Sequence, residues 1–323
     1  EIRLSLVGSE MCIRDRGGRM AFFTPVLNFF WKQNEKNDFK RISMQTPASG
    51  VKQKNNLPYL ADDLKEHTLD IYYPENAAGK LPVIVDIHGG GWMAGSKEIN
   101  KNYCLDLASR GYCVFNLNYR LAGKYRFKDQ IEDIFAALEW IYNAAENYPA
   151  DLNNCFLTGD SAGGHLAFCV AAISGSFILR QDFCISNPII KFRAVGAVSP
   201  AADLISPNLI MNINVPELLG SDYRKSQYLK YMDIDKIGIK NMPPFYIVTS
   251  SGDFLHSHSY KMKRTLDRLH VENLLHDFKG KYTGRKLPHV FSVLDPSPSY
   301  SKECIEEMLG FFEEHSDKKA IAK

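Results

Sequence analysis

Apolar and polar positions along the chain alternate between two periods. Short runs rich in β-branched and aromatic residues predict strands at Thr68 to Tyr73, Leu81 to Ile87, Tyr112 to Asn118, Asn154 to Thr158, Phe192 to Val198, Phe245 to Ser250 and Val271 to Phe278. Between the third and fourth, Ile131, Ile134, Phe135, Leu138, Ile141 and Tyr142 recur at three- and four-residue spacing, one apolar face of a helix packed on a core. Further helices are expected after Ser161, through Lys261 to Leu269, and from about Ser301 to Phe312. Strands alternating with helices predict an α/β domain around a mostly parallel sheet. Residues from Ala201 to about Met242 break the alternation, with Pro207, Pro216 and several polar clusters, and are expected to form a small cap over the sheet.

Composition adds limits rather than a function. The 323 residues, 45% hydrophobic and 24% charged, suit an enzyme-sized soluble domain with a fully buried core. A formal net charge of +2 offers no electrostatic reason to expect a nucleic-acid partner. No run approaches the ~18 uninterrupted apolar residues of a membrane-spanning helix, so stable membrane insertion is not expected. The cysteines at 12, 104, 113, 155, 169, 184 and 304 are widely spaced without a C-x-x-C pair. They read as buried free thiols of a reducing compartment, which favours a cytoplasmic protein.

The beginning of the chain stands apart. Residues 1–19 show no periodicity that continues past Arg19, and the string resembles the translation of a sequencing-library adapter. The expectation is a non-native tail, with a single domain running from Met20 to Lys323. The aromatic segment Met20 to Trp31 lacks the basic start and small-residue cleavage site of a signal peptide. Residues 20–60 are therefore read as a second contribution to the cap.

Two glycine-rich turns carry the chemistry. Leu157-Thr158-Gly159-Asp160-Ser161-Ala162-Gly163-Gly164-His165 contains G-x-S-x-G between an apolar strand and a helical pattern. A serine at such a turn is held in strained backbone geometry with its hydroxyl above the sheet, and the helix start behind it points free N–H groups at any negative charge that forms there. The second turn is Asp86-Ile87-His88-Gly89-Gly90-Gly91-Trp92, at the end of a predicted strand. Backbone N–H groups of Gly90 and Gly91, together with that of Ala162, would form an oxyanion hole, with Gly89 a further candidate donor. Trp92 is assigned to substrate binding, lining or underlying the acyl pocket. The same stretch also fits G-x-G-x-x-A, a dinucleotide fingerprint, and comes near a phosphate-binding loop, but Ser96 precedes Lys97 where that loop needs the reverse order.

Together the H-G-G-G-W and G-D-S-A-G-G strings resemble the hormone-sensitive-lipase-like branch of the α/β-hydrolases, over roughly Leu64 to His315. Tyr119-Arg120-Leu121-Ala122 is similar to that branch's Y-R-L-A segment, although Gly123-Lys124 replaces its usual Pro-Glu. The resemblance implies an α/β-hydrolase fold and hydrolysis of carboxylic esters without a metal or organic cofactor, with short-chain acyl, aryl and sugar esters all compatible. In this fold the chain order is serine, acid, histidine. Ser250-Ser251-Gly252-Asp253-Phe254-Leu255 resembles the family's acid loop, which assigns Asp253 as orienter of the base. Of His256, His258, His270, His276, His289 and His315, only His289 falls in a loop between the last strand and last helix, where family members carry H-x-F. Ser161, His289 and Asp253 are the expected catalytic residues. An amide or aryl-formamide hydrolase, a non-catalytic binding protein on the same fold and a nicotinamide-dependent oxidoreductase are the alternatives. Acyl-chain preference and oligomeric state are left open.

Overall fold

Each predicted strand is present in the structure, a computed structural model that describes residues 37–38, 40–186, 188–205, 214–279, 284 and 286–317. The expected tail and the aromatic segment from Met20 lie outside the described residues, as do 206–213 of the expected cap. The strands are β1 (Val51–Pro58), β2 (Thr68–Pro74), β3 (Leu81–Ile87), β4 (Cys113–Leu117), β5 (Ala150–Asp160), β6 (Phe192–Val198), β7 (Phe245–Ser250) and β8 (Asn273–Phe278). They form one sheet in the order β1-β2-β4-β3-β5-β6-β7-β8. The β1–β2 and β2–β4 pairs are antiparallel, and every later pair is parallel.

The fold differs from the sequence expectation at one sheet edge. Residues 51–58, grouped above with the cap, are the edge strand β1. Lys52, Gln53, Lys54, Asn55 and Asn56 are exposed, so no apolar alternation marks the strand, and charge on an edge discourages pairing with other chains. Its pairing is set by distant residues instead. The ladder slips between Lys54 and Leu57, and the Asn56 N–H donates to Asp70 Oδ1 at 2.7 Å. Lys97, buried to 1% exposure, pairs with Asp70 at 2.9 Å and donates to Asn56 Oδ1 at 2.8 Å. The lysine of the near phosphate-loop string thus serves a buried ion pair.

Helices cover both sheet faces. α1 (Lys101–Ser109) and α8 (Ser299–Glu314) lie on one side with Ile84, Val114 and Phe156. On the other side lie α2 (Phe127–Ala144), α3 (Ala162–Gly175) and α6 (His256–Leu269), in one core cluster with Val83, Val85 and Ile87. This is the period-two division of a strand whose two faces are both buried. Between α3 and β6 lies α4 (Phe177–Gln181), and between β6 and β7 lies α5 (Val215–Leu219). A one-turn helix α7 (Phe291–Leu294) follows the β8 loop. The described parts of the 201–242 excursion are anchored by Lys261 of α6, which reaches Asp203 at 2.5 Å and Asp233 at 2.7 Å. Among the described residues no helix is long and apolar enough to cross a membrane.

Candidate active site

Parallel strands deliver their C-terminal ends, and the loops after them, to one edge of the sheet. β5 carries the chain through Gly159 and Asp160 into Ser161, and α3 starts at the next residue. Ser161 has φ 52° and ψ −114°, a conformation L-residues avoid at a cost of about 1–3 kcal/mol. Backbone bonds hold it there: the Ser161 N–H donates to Val198 O at 2.9 Å, and the Ala201 N–H donates to Ser161 O at 3.0 Å. The turn is possible only because α3 approaches β3 closely. A Cβ on Gly163 would stand 1.9 Å from Ile87 O and 2.7 Å from His88 O. Gly163→Ala is therefore expected to cost at least about 3 kcal/mol. A thermal melt should show a midpoint lowered by roughly 4 °C or more.

The structure brings Ser161, His289 and Asp253 into one hydrogen-bonded chain. The Ser161 hydroxyl lies 2.9 Å from His289 Nε2, and His289 Nδ1 lies 2.7 Å from Asp253 Oδ1. With Nδ1–H donating to the carboxylate, Nε2 is free to accept the serine proton. Asp253 accepts in addition from the Leu255 N–H at 2.7 Å and the Thr249 hydroxyl at 3.2 Å. Burial pulls its carboxyl pKa upward, but the bonds and charge from His289, with Ser199 and Leu255, outweigh burial and hold it below the ordinary value. Two serines given no role of their own in the sequence reading fix the histidine loop. Ser250 Oγ donates to Leu287 O at 2.7 Å, and Ser199 Oγ accepts from the Val290 N–H at 3.1 Å. Both act through the backbone of the loop and have no local sequence signature.

The glycine turn after β3 lies beside the serine. Among the described residues, the N–H groups of Gly90, Gly91 and Ala162 donate to no protein acceptor. Gly89 is different: its N–H donates to Asp160 Oδ1 at 2.9 Å and cannot turn toward a ligand. That bond also removes the donor a dinucleotide pyrophosphate would need at the first glycine of the fingerprint. Gly90 adopts φ 117°, and a Cβ there would stand 2.0 Å from Ala94 O, which explains the glycine at this position.

Trp92 is buried. It is only 1% exposed, and its indole N–H donates to His165 Nδ1 at 3.3 Å. His165 Nε2–H in turn donates to Tyr231 O at 2.7 Å. Burial lowers the His165 pKa to about 4, so the ring is neutral and this relay of fixed direction ties the glycine turn, α3 and the excursion together. Of the two placements left open above for Trp92, burial agrees with the packed one: a large apolar ring beside a buried polar partner is drawn into the core.

Beneath the glycine turn sits a buried acid pair that sequence reasoning missed. Asn100 Nδ2 bridges Asp86 Oδ2 at 2.9 Å and Asp160 Oδ1 at 2.8 Å. Burial, and then the charge of Asp160, raise the Asp86 pKa to about 7, while burial also raises that of Asp160. A raised folded-state carboxyl pKa means the native state binds the extra proton, so stability falls as pH rises from about 4 to about 7 and is level above. Asp86→Asn carries no such proton. Its melting temperature relative to the parent should climb between pH 4.5 and 7, equivalent to about 2–3 kcal/mol, and then stay constant. A flat difference across that range would rule out a protonated Asp86.

The fold recurs in known proteins. The BD-FAE family model matches residues 69–266. The chain belongs to this family, a hormone-sensitive-lipase-like group of α/β-hydrolases. Esterase B from Lactobacillus rhamnosis superposes with a TM-score of 0.86 at 29% identity, over 94% of this chain and 98% of that one. Arylacetamide deacetylase of Bos taurus is 42% identical over 161 residues, which are 47% of this chain and 39% of that protein. Carboxylesterase NlhH of Mycobacterium tuberculosis is 29% identical over 163 residues, 49% of this chain and 47% of that protein. The chain thus spans less than half the length of these two curated relatives.

Proposed function

We propose that the protein is a serine carboxylesterase in which Ser161 is the nucleophile, His289 the general base and acid, and Asp253 the group that orients and stabilises the imidazole. The observation that carries this reading is the unbroken Ser161–His289–Asp253 hydrogen-bond chain beside three unengaged N–H groups. In acylation His289 Nε2 takes the hydroxyl proton as Ser161 Oγ attacks the ester carbonyl. The carbonyl oxygen gains charge and is met by the N–H groups of Gly90, Gly91 and Ala162, each worth about 3 kcal/mol of transition-state stabilisation. His289 then protonates the departing alcohol oxygen, and water repeats the sequence to release the acid. Every proton and electron pair in this scheme is handled by the chain's own residues.

The excursion over 201–242 is assigned the role of cap. Its contact with the site supports this: Asn214 Nδ2 approaches Gly91 O at 3.5 Å, and Tyr231 O receives the His165 bond. A near-neutral chain suits a neutral small-molecule ester, which needs no charged steering surface. Retention of all three relay residues favours an enzyme over a binding protein that kept the hydrolase shell.

Reaction with a fluorophosphonate probe tests the reading. A covalent adduct on the peptide containing Ser161, together with turnover of p-nitrophenyl acetate, is expected. Folded protein that neither labels nor turns over would reject it. The amide alternative gains support from the name of the bovine relative, an arylacetamide deacetylase. Comparing p-nitrophenyl acetate with 4-nitroacetanilide separates the two, since each yields a chromophore from the same acyl group.

A further inference from the structure

We propose that Phe254 forms the wall of the leaving-group subsite and selects esters of aromatic alcohols. The proposal rests on the reading of Ser161 and His289 given above and specifies which half of the substrate is recognised. Phe254 is 63% exposed although it is large and apolar, and its ring centroid lies 4.3 Å from that of His289 at 47°. Its backbone is fixed on both sides. The Asp253 N–H donates to Ser250 O at 3.1 Å, and the Leu255 N–H donates to Asp253 Oδ1 at 2.7 Å. Leu255 itself is buried. Phe254 is thus held between the acid and a core residue, with its ring left outside against the imidazole.

Proton transfer decides which part of an ester meets that ring. As the bond from Ser161 Oγ to the acyl carbon forms and the carbon–alcohol oxygen bond breaks, the proton on His289 Nε2 passes to the alcohol oxygen. That oxygen must lie within about 3 Å of Nε2. The carbons attached to it then fall within the roughly 4.5–7 Å reach at which two aromatic rings attract each other. The acyl half points away, toward the serine and the oxyanion donors. An exposed ring beside the base therefore reads the alcohol and has little contact with the acid portion.

Three esters separate the halves of the substrate: ethyl acetate, benzyl acetate with the ring on the alcohol side, and methyl phenylacetate with the ring on the acyl side. The two acetates share one acyl-enzyme, so their kcat/KM values differ only in acylation. Phe254→Ala is expected to lower kcat/KM for benzyl acetate about tenfold. Ethyl acetate and methyl phenylacetate should change less than about twofold, and Phe254→Trp should keep the benzyl preference. An equal fall on all three would show that the ring merely supports His289, and a fall largest on methyl phenylacetate would place it in the acyl pocket. Either result overturns the proposal. If the parent protein hydrolyses none of the esters and Ser161 does not react with a fluorophosphonate, the underlying reading fails and the proposal falls with it. A parent that labels and hydrolyses but shows no selective loss rejects the Phe254 assignment alone.

Discussion

Ser161→Ala is expected to lower kcat/KM for p-nitrophenyl acetate by at least about 10⁴-fold while leaving the fold intact. The hydroxyl supplies the only protein atom in the scheme that bonds to the acyl carbon, so its loss removes the covalent route altogether. What remains is polarisation of the carbonyl by the Gly90, Gly91 and Ala162 N–H groups. The structural cost is small because the elbow is held by its backbone. The bonds from the Ser161 N–H to Val198 O and from the Ala201 N–H to Ser161 O survive the change, and one side-chain hydrogen bond to His289 is lost. A melting temperature within a few degrees of the parent, with activity gone, is the combined signature. Full activity in the variant would refute the assignment of the nucleophile.

Asp253→Asn is expected to reduce kcat by about 10³-fold with little change in KM, through charge alone. Asp253 Oδ1 accepts from both His289 Nδ1–H and the Leu255 N–H, a position only a carbonyl oxygen can take in the amide. The amide nitrogen is then left facing the Thr249 hydroxyl, which can accept from it. Imidazole orientation and tautomer are retained. What disappears is the negative charge beside the imidazolium that forms as Ser161 attacks. At an effective dielectric of ~20 and ~4 Å, such a pair is worth about 4 kcal/mol, or about three powers of ten. Because the surrounding bonds hold the parent carboxyl below its ordinary pKa, that charge is in place throughout the neutral range. Steady-state kinetics at pH 7–8 check the prediction. A loss confined to KM would mean that Asp253 contributes to binding and leaves the chemistry untouched.

Much of the sheet was legible because its strands are buried on both faces. Leu81–Ile87, Phe192–Val198 and Phe245–Ser250 appear with the bounds read from their apolar runs. β1 was hidden for the opposite reason. Its exposed lysines and asparagines resemble a loop, and its place depends on Asp70 and Lys97, which the pairing alone brings near. The helix α1 was missed because its apolar residues follow no strong period along nine residues. Trp92 was left between two placements because a tryptophan after a glycine turn reads equally as pocket wall or core, and its partner His165 lies 73 residues away.

Sequence alone determined the α/β class and the two glycine-rich turns with Ser161, because steric limits at a strand-to-helix turn admit few side chains, and resemblance to the family pointed to Asp253 and His289 as candidates. Tertiary structure decided the rest. It withdrew the Gly89 N–H to Asp160, buried Trp92, placed the Asp86–Asn100–Asp160 network beneath the turn and left Phe254 exposed on the imidazole. Each of these is a contact between residues far apart in the chain, or an outcome of burial. Local periodicity records which face of an element is apolar. Which polar groups meet across elements, and which rings remain in solvent, is fixed only when those faces pack.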